Sequence, residues 1–136
     1  MHSKEFYGLF HIGITCTNLE RSILFYENIL GFYLEFVGKV NGYRLANLVL
    51  DNMIIELIEM TGDAEQIRAS NLANKNHIAI CVRSLNAIVE RLKAVPGVSF
   101  EFDEPRRYVE YGRNDLSYIF FRGLDGERFE LIDIAR

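Results

Sequence analysis

The stretch FHIGITCTNLERSILFYENILGF, residues 10–32, decides the fold because the chain repeats its pattern 66 residues later. NHIAICVRSLNAIVERLKAVPGV, residues 76–98, aligns with it without a gap. In both copies a His opens a run in which apolar residues alternate, as they do in a β-strand. A segment with apolar residues three or four positions apart follows, which indicates an amphipathic helix. The repeat therefore predicts two copies of one strand–helix unit.

Residues that cap or stop helices mark the ends of the two predicted helices. Asn18 and Ser84 precede the first helical residue of each copy, where a side-chain oxygen can bind a free backbone amide. Gly31 and Pro96–Gly97 stop the two helices. The buried stripes are expected to be Leu19, Ile23, Tyr26 and Leu30 in the first helix, and Leu85, Val89 and Leu92 in the second.

Three strand-like runs follow each predicted helix. In the first half they are FYLEFVGKV (32–40), YRLANLVLD (43–51) and NMIIELIEM (52–60). In the second half they are VSFEFDE (98–104), LSYIFFRG (116–123) and RFELIDI (128–134). Short connections predict an antiparallel meander in each half. The longer EPRRYVEYGRND, residues 104–115, is expected to be a polar loop.

The predicted fold class is therefore α+β, with two βαβββ modules in a single domain of residues 1–136. The modules span residues 6–60 and 75–135, and residues 61–74 form a linker with a short helix near 64–69. We expect the modules to pair and to form a curled mixed sheet around a cup.

Charge, hydropathy and cysteine usage exclude several classes of protein. A net charge of −4 gives no basic surface for nucleic acid, and no apolar run is long enough to span a membrane. The N-terminal residues do not resemble a secretory signal. Cys16 and Cys81 form no CxxC motif and are expected to be buried, reduced thiols, which favours a cytoplasmic location.

A carboxylate interrupts the last apolar strand of each half. Glu56 lies within MIIELIEM, and Glu130 holds the matching place in RFELIDI. His11 and His77 open the first strand of the same halves. If the first and last strands of a half are neighbours, its His and Glu meet on the sheet face that points away from the helix.

Four such side chains have a clear chemical use. Two imidazoles and two carboxylates neutralise a divalent ion, which offsets the cost of burying the acids. Nitrogen and oxygen ligands suit Zn²⁺, Ni²⁺, Co²⁺, Fe²⁺ or Mn²⁺. The alternative is a structural His in each half and a Glu on an exposed face. Glu59 and Asp133 also match across the repeat, and we expect them to be solvated at strand ends.

The same residues resemble a known family. Residues 10–32 look like the opening motif of the vicinal oxygen chelate superfamily, and NHIAICV and LDGERFELIDI look like its second-half signatures. The superfamily includes glyoxalase I, methylmalonyl-CoA epimerase, extradiol dioxygenases, and fosfomycin and bleomycin resistance proteins. The resemblance covers nearly the whole chain and implies the cup of paired βαβββ modules.

The order of the acids and histidines resembles bacterial glyoxalase I most. Its His, Glu, His, Glu metal ligands fall on His11, Glu56, His77 and Glu130. The resemblance therefore implies a metal-dependent lyase or isomerase of the lactoylglutathione lyase family. It would move a proton next to a metal-bound carbonyl of a small molecule, with Glu130 as the base and Glu56 as its partner.

Other functions of the same fold stay open. They are an epimerase, a thiol transferase, a dioxygenase, or a non-catalytic module that binds a small molecule or drug. No glutathione-binding motif is evident in the sequence. A homodimer is expected because single modules have small cores. Expected substrate contacts are Arg106, Arg107, Arg113 and Tyr43, with Arg44, Tyr108 and Tyr111 near the entrance.

Overall fold

A computed structural model describes residues 5–109 and 112–135 of the chain. Its fold is α+β, as predicted, with three helices and nine strands in two mixed sheets among the described residues. The chain divides into two compact units, Met1–Gly62 and Asp63–Arg136. The boundary falls inside the stretch that the sequence marks as a linker.

The first unit contains one helix and four strands. They are β1 (Ile12–Cys16), α1 (Leu19–Asn28), β2 (Tyr33–Val40), β3 (Tyr43–Leu50) and β4 (Met53–Glu59). The strand order is β1-β4-β3-β2, with β1 parallel to β4 and the other pairs antiparallel. The first and last strands of this unit are therefore neighbours, which is the condition for its His and Glu to meet.

The core of the first unit lies between α1 and one face of its sheet. Ile55 and Leu57 of β4 are fully buried on that face. The helix contributes Phe25 and Tyr26, whose rings meet edge to face at 5.8 Å. The predicted stripe is wrong in part, because Phe25 is buried while Ile23 is only half-buried.

The two predicted N-caps behave differently. The Asn18 side chain accepts a hydrogen bond from the Arg21 amide at 3.0 Å, as expected of an N-cap. Ser84 has left-handed backbone angles, with φ 59° and ψ 55°, and its side chain makes no capping hydrogen bond. The capping prediction for Ser84 is therefore wrong, because its backbone is not in the extended conformation that a capping residue usually adopts.

The carboxylates of Glu59 and Asp133 accept hydrogen bonds from backbone amides at the starts of two helices. Glu59 Oε2 accepts a hydrogen bond from the Leu19 amide at 2.8 Å, and Asp133 Oδ2 accepts one from the Leu85 amide at 3.2 Å. The expectation that these carboxylates are merely solvated is wrong. A negative charge at a helix N-terminus is favourable there because the free amides point toward it.

The second unit contains two helices and five strands. They are α2 (Ala64–Ala73), β5 (Ile78–Cys81), α3 (Leu85–Lys93), β6 (Ser99–Phe100), β7 (Arg106–Arg107), β8 (Leu116–Arg122) and β9 (Arg128–Ile134). The strand order is β5-β9-β8-β6, and β7 also pairs with β8. The predicted strand over 98–104 shrinks to two residues, and the predicted loop over 104–115 contains β7.

Helix α2 is hydrogen-bonded to the turn between β8 and β9. An Arg68 guanidinium nitrogen donates to the Leu124 carbonyl at 2.6 Å, and the Asn71 amide donates to the Asp125 carbonyl at 2.8 Å. Gly126 has φ +84°, and a Cβ there would lie 3.0 Å from the Arg68 carbonyl oxygen. The helix is therefore part of the second unit and extends beyond the short helix predicted near 64–69.

The two cysteines differ in exposure. Cys16 is buried, as predicted, but Cys81 is exposed. The prediction fails for Cys81 because Ile78 and Ile80 point into the core and their β5 neighbours point out. Among the described residues, no helix has both the length and the hydrophobicity that a membrane span requires.

Candidate metal centre

The first His–Glu pair lies in the first unit. Glu56 sits in β4 between Gly13 of β1 and Asn47 of β3, on the face opposite Ile55 and Leu57. His11 directly precedes β1, which runs parallel to β4. His11 Nε2 lies 3.5 Å from Glu56 Oε1. The parallel pairing thus brings the start of one strand beside the middle of the other.

The second pair repeats this arrangement in the second unit. Glu130 sits in β9 between Ala79 of β5 and Phe120 of β8. His77 Nε2 lies 3.3 Å from Glu130 Oε1, and the imidazole meets the Phe120 ring edge to face at 5.0 Å. Phe129 and Leu131 are buried on the opposite face, so Glu130 points away from the core beneath α3.

The two carboxylates lie in different surroundings. The Glu130 side chain is 5% exposed and Glu56 is 19% exposed. Asn47 is a polar neighbour of Glu56, whereas Phe120 holds the matching place beside Glu130. Burial raises the pKa of Glu130, and the nearby His77 opposes this in part. The repeat therefore supplies two similar His–Glu pairs, and of their two carboxylates Glu130 is the better shielded from solvent.

The spacing within each pair suits two ligands of one metal ion. Ligand atoms bound at about 2.0–2.2 Å, at angles between about 90° and 109°, lie roughly 2.8–3.6 Å apart. Both His–Glu distances, 3.5 and 3.3 Å, fall in this range. They are long for the charge-assisted hydrogen bonds that His and Glu form with each other.

Buried atoms without partners also fit a metal. Glu130 Oε2, His11 Nδ1 and Asn47 Oδ1 are buried and have no hydrogen-bond partner among the described residues. Buried polar atoms are normally satisfied, so such atoms call for an explanation. Either a cation or a proton would satisfy Glu130 Oε2. Within the described part of either unit, no group of three or more His, Cys, Asp or Glu side chains is positioned to hold an ion.

The predicted arginines of the 104–115 segment lie on different faces of the sheet. Arg106 is paired with Tyr118, which shares the face of Glu130, and its Cζ lies 3.8 Å above the Phe102 ring centre. Arg107 faces the other way and lines a surface cleft beside α3. The period of two along β7 causes this difference.

The remaining predicted contacts lie near the surface. Arg113 forms an ion pair with Asp115 at 2.8 Å, and the Arg113 guanidinium lowers the pKa of Asp115. Tyr43 is exposed at the β2–β3 turn. Tyr108 stacks on Tyr118 with ring centres 3.9 Å apart. Arg44 forms ion pairs with Glu20 and Glu59, and Tyr111 lies outside the described residues.

Sequence reasoning missed two residues beside the pairs, Asn47 and Arg128. Arg128 Nη1 lies 3.2 Å from Nδ1 of His77. One signal was available, because alternation along RFELIDI places Arg128 on the face of Glu130. Asn47 could be found only from the register of β3 against β4.

Sequence comparison gives the family. Residues 10–120 match the family described as the Glyoxalase/Bleomycin resistance protein/Dioxygenase superfamily. The chain belongs to this superfamily. The resemblance noted from the two repeated motifs is thereby confirmed. No curated protein sequence matches the chain.

Solved structures of this superfamily share the fold. The fosfomycin resistance protein FosX from Listeria monocytogenes is 25% identical, with a TM-score of 0.70 over 94% of this chain and 93% of that one. A FosX structure complexed with Mn(II) and sulfate gives 25% identity and a TM-score of 0.67, over 93% of this chain and 91% of that one. A glyoxalase family protein from Bacillus cereus is 18% identical, with a TM-score of 0.77 over 100% and 99% of the two chains.

Proposed function

We propose that the chain is a metal-dependent enzyme in which His11, Glu56, His77 and Glu130 bind one divalent ion. The observation that supports this most is the repetition of a His–Glu pair at ligand spacing, 3.5 Å in one unit and 3.3 Å in the other. Zn²⁺, Ni²⁺, Co²⁺, Fe²⁺ and Mn²⁺ all accept such nitrogen and oxygen ligands.

The reaction we propose is proton transfer next to a carbonyl of a small substrate, as in glyoxalase I. A bound divalent ion would polarise that carbonyl and acidify the adjacent carbon. Glu130 takes the proton and returns it, because its buried Oε2 has no partner among the described residues. Glu56 is the second acid, in the more polar surroundings of Asn47.

Groups near Glu130 suit a substrate with a flat or apolar part and a negative charge. Phe102, Tyr118 and Phe120 form an aromatic cluster on this face, with ring centres 5.9–6.4 Å apart. Arg106 lies over the cluster and is exposed, so it can meet an anionic group. Arg107 and Arg113 remain weaker candidates because Arg107 lies on the other face of the sheet and Arg113 is paired with Asp115. Tyr43, exposed at the β2–β3 turn of the first unit, is also a weaker candidate.

Two further features belong to the same proposal. A homodimer is proposed because each unit alone has a small core. A cytoplasmic location is proposed because the two cysteines, Cys16 and Cys81, form no CxxC motif and lie far apart in the sequence.

The likeness to FosX at 25% identity favours a second candidate function, inactivation of fosfomycin. The two candidates share the metal centre and differ in substrate. Protein loaded with Mn²⁺, Zn²⁺ or Ni²⁺ is to be assayed in parallel with fosfomycin and with the hemithioacetal of methylglyoxal and glutathione. Turnover of one compound and not the other decides between them.

Metal analysis tests the centre itself. We expect about one divalent ion per chain, and loss of binding in His11→Ala and Glu130→Gln. Glu35→Gln is the matched control, because Glu35 is an exposed carboxylate on β2. If metal-free protein takes up neither Zn²⁺ nor Ni²⁺, the proposed function is wrong.

A further inference from the structure

Arg128 is held on three sides in the second unit. Its guanidinium forms two hydrogen bonds with the Glu101 carboxylate, at 2.7 and 2.9 Å. Its Nη1 donates to the Lys75 carbonyl oxygen at 2.9 Å. Its Cζ lies 3.8 Å above the centre of the Phe120 ring. A bidentate pair that is also stacked on an aromatic ring fixes a guanidinium in one orientation.

The same carbonyl oxygen meets the ring of His77. Nδ1 of His77 lies 3.1 Å from the Lys75 oxygen and 3.2 Å from Nη1 of Arg128. A carbonyl oxygen can accept two hydrogen bonds, and a guanidinium can only donate. The Lys75 oxygen can therefore accept from Arg128 and from Nδ1–H of His77 at once. In the other tautomer, two acceptors would face each other across 3.1 Å, but Nδ1 could then accept from Nη1 of Arg128 at 3.2 Å. In the Nδ1–H tautomer, that second contact joins two donors. Arg128 therefore bears directly on which tautomer His77 adopts.

The Nδ1–H tautomer leaves the other ring nitrogen free. Nε2 of His77, which lies 3.3 Å from Glu130 Oε1, then carries the lone pair that a metal requires. Histidines that bind metals usually donate their second ring N–H to a carbonyl or carboxylate in this way.

Glu101 connects this arrangement to the body of the unit. Arg122 and Arg128 are opposite each other in the β8–β9 register. Glu101 Oε2 accepts a hydrogen bond from Nε of Arg128 at 2.7 Å and forms an ion pair with Nε of Arg122 at 3.2 Å. Arg122 is buried, and its Nη1 donates to the carbonyl oxygens of Asn71 and Asn74 at the end of α2. One carboxylate thus bridges two neighbouring arginines, offsets one of their two positive charges, and links α2 to the contacts around His77.

The first unit has no counterpart of this network at the matching positions. Ile54 stands two residues before Glu56, where Arg128 stands two residues before Glu130. Nδ1 of His11 is buried without a hydrogen-bond partner among the described residues. The two histidines therefore differ in the hydrogen bonds available to Nδ1, although their Nε2–Glu distances are similar.

We propose that Arg128 and Glu101 are positioning residues that hold His77 as a pre-organised metal ligand, whereas His11 is oriented only when the ion binds. This inference rests on the proposed metal centre. Arg128 acts by fixing the Lys75 carbonyl and the Phe120 ring around His77. Glu101 fixes Arg128 and offsets part of the positive charge that would otherwise repel a cation bound at Nε2 of His77.

The test compares wild-type protein with Arg128→Lys and Glu101→Gln, and uses Arg91→Lys as the matched control. Arg91 is an exposed arginine on α3. Imidazole tautomers are read from ¹⁵N NMR spectra of metal-free protein at pH 8, with signals assigned through His11→Gln and His77→Gln. Mn²⁺ affinity is measured by electron paramagnetic resonance of the free ion. Circular dichroism and thermal melting establish that each variant is folded.

We expect the tautomer populations of His77 to be the same in wild type and in Arg91→Lys, and to shift in the two network variants. His11 should be a mixture in all four proteins. Mn²⁺ binding should weaken about 10–100-fold in Arg128→Lys and in Glu101→Gln. A His77 tautomer that is unchanged in a folded Arg128→Lys overturns the positioning role, whatever the metal affinity.

Failure of the proposed function gives a different result. If wild type binds no Mn²⁺ but its His77 tautomer still changes in Arg128→Lys, the metal centre is refuted and the hold on His77 is upheld. If wild type binds Mn²⁺ and neither variant changes affinity or tautomer, the metal centre stands and the positioning role is refuted.

Discussion

Glu59 accepts a hydrogen bond from the Leu19 amide at 2.8 Å, which joins the end of β4 to the first turn of α1. Removing the carboxylate in Glu59→Ala should lower the free energy of unfolding by about 1 kcal/mol, since a free helix amide loses its acceptor. Glu59→Gln should lose less than half of that, because an amide oxygen can still accept. Urea unfolding measures both, with Glu35→Ala as an exposed control; equal losses in the two Glu59 variants would contradict the capping role.

Asn18 and Ser84 occupy matching positions of the repeat, but substitutions there should act in opposite directions. Asn18→Ala should destabilise by about 1 kcal/mol because the capping bond to Arg21 is lost. Ser84→Gly should stabilise by about 0.5–1 kcal/mol, because glycine adopts φ 59° without steric cost and no side-chain cap is lost. Thermal melting of the two single variants gives the signs, and a destabilised Ser84→Gly would show that its hydroxyl matters.

Because Glu101 forms ion pairs with two arginines, we expect the folded protein to lose stability in acid. Hydrogen bonding to Arg128 lowers the pKa of Glu101, with further lowering by Arg122 and opposition from burial. Its stabilising contribution is therefore present above the ordinary glutamate pKa of about 4.3 and is lost as pH falls through the lowered value. Glu101→Gln should cost about 1–3 kcal/mol at pH 7, because two arginines lose their counter-charge.

The pH dependence separates this effect from general acid unfolding. Between about pH 5 and pH 2 the stability of Glu101→Gln should fall less steeply than that of wild type. Asp115→Asn is the control, since Arg113 lowers the pKa of Asp115 in an exposed pair that solvent screens. Parallel slopes for wild type and Glu101→Gln would show that this carboxylate does not titrate in the acid transition.

For Glu130, we expect the contribution to folding stability to depend on pH in the opposite direction. Burial raises its pKa in the fold, so its contribution favours the folded state below the ordinary glutamate pKa, and that advantage is lost as pH rises through the raised value. Metal-free Glu130→Gln should therefore be more stable than wild type at neutral pH, by about 0.5–2 kcal/mol. The difference should shrink toward pH 4. Calorimetry of chelator-treated proteins measures it, and Glu56→Gln, at a more exposed acid, should gain less.

The repeat accounts for how much of this architecture the sequence could predict. Each half of the chain contains a segment with the two-residue period of a strand and a segment with the 3.6-residue period of a helix. This repetition is enough to predict β1, α1, β4 and β9. It also predicts that the His and Glu of each half lie close together. Glu56 and Glu130 attract attention because a carboxylate in an apolar strand needs a reason. Their role as metal ligands stays a prediction.

Features that depend on distant partners could not be predicted in this way. Glu59 and Asp133 look like solvated strand ends until the helix amides above them are seen. Glu101 and Arg128 are 27 residues apart, and no local pattern pairs them. The conformation of Ser84 and the two-residue length of β6 depend on how the chain turns into and out of α3, where the repeat no longer constrains it.

The hydrogen bonds between α2 and the rest of the second unit determine where the chain could be cut without unfolding that unit. A second half that began at residue 75 would lack the Asn71 and Asn74 carbonyls and leave the buried Arg122 short of acceptors. A cut between Gly62 and Asp63 keeps them, and Gly62 has open space around it. The second unit produced on its own should therefore fold when it begins at residue 63 and be destabilised when it begins at residue 75.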